Sequence, residues 1–486
     1  MEPTIYLAIL FTVLTLLLLK TKYERHLLFF MIRTQYGIRL INALARMKPR
    51  FWKFIGDLGV VVSFSGIGGF YLSKKKESQD NLHVILAMIG LATIALAPID
   101  VLLKPALCAL LVFVILAVRA SNNPTINFIA TSLLVSLAVR PFIPKLYFAL
   151  LMGVFGIPAV IIMALVQQAY EISQGSMLPG VSPMLPSTRE GNIGVGFPGY
   201  DIFIPWWYAL IAIIATLVPH EIAHGILSRV HQIRLKSTGL LTFGALPIGA
   251  FVEPDEQELN SKSSVSRTRV YAVGSLANFA AGILATILLV STVIGLDQVV
   301  VKQGVEVVGF DAGYPAEAVL KKGVIVHQLN NNTVYDITSF EEAATTLKPG
   351  DNATLATDQG TFTITAAQSK EDNGRGYMGV LLRDRIAFKY GVLNGLITPT
   401  LLSFFITALS WIAFFNINIG MVNLLPIPPF DGYKIFDEIV KSTGMKKEDV
   451  KWVIYGVIIA TALVFFLNLF PLVRMVVQPV LTFFGF

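Results

Sequence analysis

Residues 217–225 read LVPHEIAHG and continue without a break from IPWWYALIAIIAT at 204–216, so two histidines and a glutamate close a run otherwise suited to lipid. On a helix of 3.6 residues per turn, His220 and His224 lie about 40° apart around the axis and about 6 Å apart along it, so both rings can reach one ion. Zinc takes imidazole nitrogen at about 2.0–2.1 Å, and a hydrolytic site commonly uses three protein ligands and leaves a fourth position for water. Glu221 lies on the flank of the histidine pair, where it can take a proton from that water. The competing reading is a pair of helix-packing histidines. Against it, an unpaired carboxylate at membrane depth costs about 2.5–3.5 kcal/mol even on lenient insertion scales.

The setting is a membrane. Of 486 residues 54% are hydrophobic and 14% charged, against about 25% charged in a typical globular chain. The net charge of +7 raises the question of nucleic acid, but the bases cluster between apolar blocks, where topology accounts for them, and no nucleic-acid partner is expected. One cysteine, Cys108, excludes an intrachain disulfide and a cysteine zinc site.

Apolar blocks near 4–20, 57–73, 82–98, 104–118, 125–139, 146–171, 204–226, 270–294, 396–417 and 452–472 predict a multi-pass α-helical membrane protein of about ten spans. Bases follow the first block, which suits a retained anchor with its N-terminus outside. Segment 20–56 then lies in the cytosol, with nine Lys or Arg against Glu24, and residues 26–47 read as an amphipathic helix on the inner leaflet. The loops after 139, after 226 and after 433 fall on the same side. The exception is Lys74 to Lys76, which the count places outside: either the block at 57–73 is re-entrant or the helix pair after it is miscounted. Residues 297–390 have the composition of a small α/β extramembrane domain, outside by the same count. Arg229 lies nine residues after His220, about 14 Å along a helix, which puts the site inside the hydrocarbon but nearer the cytosol.

A third ligand is required. His26, His83, His231 and His327 lie in loops, at a block edge or in the small domain and are expected to be structural or surface residues. The better candidate is Asp431 in NLLPIPPFDGYK, 423–434. Pro426, Pro428 and Pro429 remove backbone donors, and exposed carbonyls at that depth require a cavity or protein cover.

Together HEIAH and NLLPIPPFDG resemble the site-2 protease family of intramembrane zinc metalloproteases. The pattern Asn, Pro, Asp-Gly is met by Asn423, Pro426, Asp431 and Gly432; GSLANF at 274–279 is similar to the family's Gly-Pro-Leu-Ala-Asn-Phe, with Ser275 in place of Pro. LPIGAFVEPDE at 246–256 is similar to its membrane-associated strand. The resemblance implies one catalytic zinc ion on His220, His224 and Asp431, Glu221 as acid and base, and transmembrane-helix protein substrates cut within the bilayer. It makes Asn278 and Asn423 candidates for contact with unwound substrate or the oxyanion, or for interhelical hydrogen bonding. Residues 314–347 and GYMGVLL at 376–382 resemble a PDZ domain that receives substrate or limits access. The implied plan is 1–56, an anchor helix and basic cytosolic segment; 57–203, accessory helices and an extracytoplasmic loop; 204–296, the first half of the catalytic core; 297–390, the PDZ-like domain; and 391–486, the second half. A metal or proton transporter using the same cluster and a catalytically silent PDZ-bearing adaptor are the alternatives.

Overall fold

Backbone polar groups in lipid have no water to bond, so a chain this apolar folds chiefly as helices that satisfy themselves. The computed structural model describes residues 3–21, 23–189, 191–369, 374–388 and 399–483. They form two units, Met1–Thr286 with Ala408–Phe486, and Ile287–Thr407. Among the described residues seven helices have the length and hydropathy to cross a membrane, and Pro124–Val139, Leu146–Phe155 and Ile157–Ser173 are shorter apolar helices.

Two of the apolar blocks do not run straight. Helix Pro49–Ser73 breaks at Ser65, with φ 39° and ψ −115°. A Cβ on Gly68 would lie 2.7 Å from the Val60 carbonyl oxygen, whereas residues eight apart on a straight helix are separated by about 12 Å. The segment therefore folds back on itself. Its returning arm needs glycine at Gly66 and Gly69, where a Cβ would meet Ser132 Oγ at 2.1 Å and Thr131 Oγ1 at 2.4 Å. Asp57 on the entering arm and Tyr71 on the returning arm bond to the neighbouring residues Arg269 and Thr268. Lys74 to Lys76 thus come back toward the end at which the segment began. The block at 146–171 is likewise two helices, broken at Gly156 (φ 82°) and doubled back so that Gln167 donates to the Tyr147 hydroxyl. The two tips meet: a Cβ on Gly156 would lie 2.2 Å from the Ser63 carbonyl oxygen.

A buried ion pair fastens the first hairpin to helix Ser264–Val299. Arg269 and Asp57 are both fully buried, and the guanidinium donates from Nε and Nη2 to the two carboxylate oxygens at 2.8 Å each. Ser78 Oγ and Asn81 Nδ2 also donate to Asp57, at 3.1 and 2.7 Å. Gly56 lets the arginine stem lie flat, since a Cβ there would sit 2.7 Å from Arg269 Cβ.

The basic segment corrects one expectation. Residues 26–47 are not one amphipathic helix: Phe29–Thr34 is a strand, and only Tyr36–Met47 is helical. The strand pairs antiparallel with Leu235–Phe243 in a four-stranded sheet of order Glu24–His26, Phe29–Thr34, Leu235–Phe243, Leu246–Pro254. A partner about 200 residues away in sequence overrides the local helical pattern. The helix then buries Ile41 and Ala45 against Leu227 and Ile233. Leu246–Pro254, expected as a strand, is one, and it forms the edge of the sheet beside helix Trp206–Val230.

In the second unit the strand order is Gly360–Thr365, Asn352–Thr357, Ile325–Leu329, Val300–Phe310, Val380–Phe388. Helix Ile337–Ala344 covers it through Phe340, with Val305, Val326 and Leu355 beneath. Asp336 caps that helix, and Lys302 together with the Ser339 amide holds its carboxyl down at about 2.

Removing one partner of a buried pair leaves an uncompensated charge. Asp57→Asn is expected to destabilise the purified protein by about 3–5 kcal/mol, read as a lowered midpoint of unfolding in detergent; an unchanged midpoint would remove the clamp from this account.

Candidate metal centre and active site

Helix Trp206–Val230 contains Pro219, which cannot donate to the Ala215 carbonyl and so loosens the helix one residue before the first ligand candidate. His220 and His224 follow on one face, both buried. Asp431 opens helix Asp431–Lys441 after a loop that leaves helix Pro399–Val422. One backbone bond and one close approach shape this loop: the Gly432 amide donates to the Asn423 carbonyl at 2.9 Å, and a Cβ at Gly432 would fall 2.0 Å from the Leu424 carbonyl oxygen. That is why glycine follows the aspartate.

The fold brings all three together. Nε2 of His224 lies 3.0 Å from Nε2 of His220 and 3.0 Å from Oδ2 of Asp431, and the third side, His220 to Asp431, is 3.4 Å. A tetrahedral ion with ligands at about 2.0–2.1 Å has edges of about 3.3–3.4 Å, so this triangle is close to one face of such a site. The donor set, two imidazoles and a carboxylate, suits zinc. Among the described residues this is the metal-competent cluster, and His26, His83, His231 and His327 take no part in it.

The surroundings prepare the ligand atoms. Nδ1 of His224 lies 2.6 Å from the Val270 carbonyl oxygen, so Nδ1 carries the hydrogen and Nε2 keeps its lone pair. Behind His220, fully buried, the Asn278 amide nitrogen lies 3.1 Å from Nδ1, while Asn278 Oδ1 has no protein partner. Exchanging the two ends of that amide lets Oδ1 accept from Nδ1–H, the tautomer that again frees Nε2. Asn423 Nδ2 donates to Asp431 Oδ2 at 2.9 Å and lies 3.2 Å from His220 Nε2. The other oxygen of Asp431 faces Lys434 at 3.5 Å. Glu221 Oε2 accepts from the Val252 amide at 3.0 Å, which ties this carboxylate to the edge strand Leu246–Pro254.

Sequence reasoning named His220, His224 and Asp431, which the fold brings together, but missed what packs around them. Gly274 is the clearest omission. A Cβ there would lie 2.4 Å from His224 Nε2 and 2.6 Å from His220 Cε1, so helix Ser264–Val299 approaches the imidazoles only because residue 274 has no side chain. The signal was present, as the first residue of GSLANF, but its use is visible only in three dimensions. Gly274→Ala is expected to displace both rings: elemental analysis should find metal well below one ion per chain while circular dichroism stays unchanged, and full loading would contradict the packing described.

The family model for peptidase family M50 matches residues 208–467, more than half of the chain and including the whole cluster. An uncharacterized protein of Methanocaldococcus jannaschii is 29% identical over 300 residues, covering 60% of this chain and 72% of that protein. With the triangle of ligand atoms and the match together, the chain belongs to peptidase family M50, a family of zinc metalloproteases.

Proposed function

We propose that this protein is a site-2-type endopeptidase that cuts transmembrane segments of other membrane proteins inside the bilayer, with one zinc ion on His220, His224 and Asp431. The observation that carries the reading is the convergence of those three donors from segments over 200 residues apart, with a glutamate held beside them. When bound, zinc supplies Lewis acidity that makes water a nucleophile at neutral pH. Glu221 accepts the water proton and returns it to the departing amide nitrogen. Its bond to the Val252 amide fixes one carboxylate oxygen and leaves the other to carry that proton. Asn423, whose amide faces the cluster from the loop of Asp431, donates to the oxygen on which charge develops. Asn278, behind His220, is assigned to positioning: it holds the ring rather than the substrate.

Strand Leu246–Pro254 ends its sheet beside Glu221, so an unwound substrate segment has a backbone edge to align on. In the second unit a cavity of about 650 Å³ between helix Ile337–Ala344 and strand Val380–Phe388, lined by Phe340, Tyr377, Val380 and Leu382, supports a PDZ-like peptide-receiving role. The expected strand 376–382 is interrupted at Met378 and Gly379, with groove-lining residues on both sides of the break. We place the N-terminus and this unit outside the cell membrane and the active site toward the cytosol. The return of Lys74 to Lys76 toward the basic segment agrees with that charge count, whereas the same reversals move the loop of Arg140 and Lys145, expected in the cytosol, to the other side. Membership of a peptidase family favours this reading over a transporter or a silent adaptor.

Purified protein should cut a transmembrane peptide, and Glu221→Gln should lower the rate by at least about 10²–10⁴-fold with zinc content retained. Equal cutting by the variant would refute the role of Glu221; ion flux without cutting would favour the transporter. The two asparagines should separate. Asn423→Ala lowers kcat by about 10²–10³-fold with zinc bound, whereas Asn278→Ala weakens zinc binding by about 10–100-fold, measured by competition with a chelator.

A further inference from the structure

The accessory helices and the second half of the core enclose a cavity of about 600 Å³ that the proposed proteolysis does not use. Its walls are Phe64, Ile67 and Phe70 of the first hairpin, Phe155 and Ala159 of the second, and, opposite, the loop and helix around Asp431 through Pro426, Phe436 and Ile439. Of the residues lining it only Thr125 and Thr443 have polar side chains. The lining runs from the hairpin tips at Phe64 and Phe155 to Phe70, Thr443 and Met445, where the returning arm ends. That arm, residues 66–73, is about 12 Å long, close to half of a hydrocarbon core of about 30 Å. The cavity therefore has the depth of one leaflet.

Its mouth is cationic. Lys74 Nζ lies 4.2 Å from the centre of the Phe70 ring and donates to the Ser442 carbonyl at 3.2 Å, bridging the two walls. Lys446 and Lys447, exposed, follow the lining residue Met445. Among the described residues these three lysines have no carboxylate within ion-pair distance: Lys441 engages Asp437, and the exposed Glu448 and Asp449 that follow Lys447 lie in the first turn of the next helix. An extended hydrocarbon chain is thin enough to enter a space of this depth and has no polar group to satisfy in so apolar a lining.

We propose that this cavity holds an acyl chain of an anionic phospholipid whose headgroup is bound by Lys74 with Lys446 and Lys447. The bound lipid packs against the loop that presents Asp431, so the accessory helices, which have no part in the metal cluster, build a lipid site against the catalytic core.

The test uses the full chain in a neutral detergent, with phosphatidylglycerol or phosphatidylcholine of the same acyl chains added. Phosphatidylglycerol is expected to raise the unfolding midpoint by several degrees more than phosphatidylcholine and to be retained in native mass spectra. Lys74→Glu, at an exposed position, should erase the difference between the two lipids, and Ala159→Phe should reduce retention of both. Equal shifts from both lipids in the wild type, or an undiminished preference in Lys74→Glu, would overturn the proposal. So would a photo-crosslinker at Ala159 that captures a transmembrane peptide substrate in preference to lipid.

Discussion

Three electron-pair donors turned toward one point at 3.0–3.4 Å are the constraint on which the rest of this structure depends. Nothing in hydrocarbon favours that arrangement: two imidazole nitrogens and a carboxylate oxygen repel one another unless a proton or a metal ion stands among them. The fold spends much of its detail on holding them there. Pro219 loosens the first ligand helix, the Val270 carbonyl and Asn278 fix the ring orientations, and Gly274 removes the side chain that would fill their space. Gly432 lets the loop close tightly enough for Asp431 to arrive at the head of its helix.

The chemistry was legible in the sequence and the path of the chain was not. Spacing alone carried His220, Glu221 and His224, because the period of a helix is fixed. Three prolines in eight residues announced the loop before Asp431 for the same local reason. The doubled-back segments left no such mark. A hydropathy run records how apolar a stretch is but not the direction in which it travels, so 57–73 and 146–171 read as spans. What reverses them is one backbone angle at Ser65 and one at Gly156, in sequences where serine and glycine are otherwise unremarked. The clash of Lys74 to Lys76 with the charge count was the visible trace of the first reversal.

Strand Phe29–Thr34 failed to show itself for a different reason. FFMIRT is short enough to serve as helix or strand, and the choice rests with a partner at Leu235–Phe243 that no local window contains. The same pairing sets the sheet that carries Val252 to Glu221, so a part of the candidate site lay beyond reach of any local reading.

The clamp between Asp57 and Arg269 has a consequence in time. The ribosome delivers the carboxylate 212 residues before the guanidinium. Through that interval the first hairpin carries an acid with no countercharge, and its resting depth in the bilayer is only marginally favoured. Arrival of Arg269 seats the hairpin, and with it the wall against which the segment bearing Asp431 will later pack. Burial of this one acid thus joins a hairpin near the start of the chain to a helix that lies more than 200 residues further on.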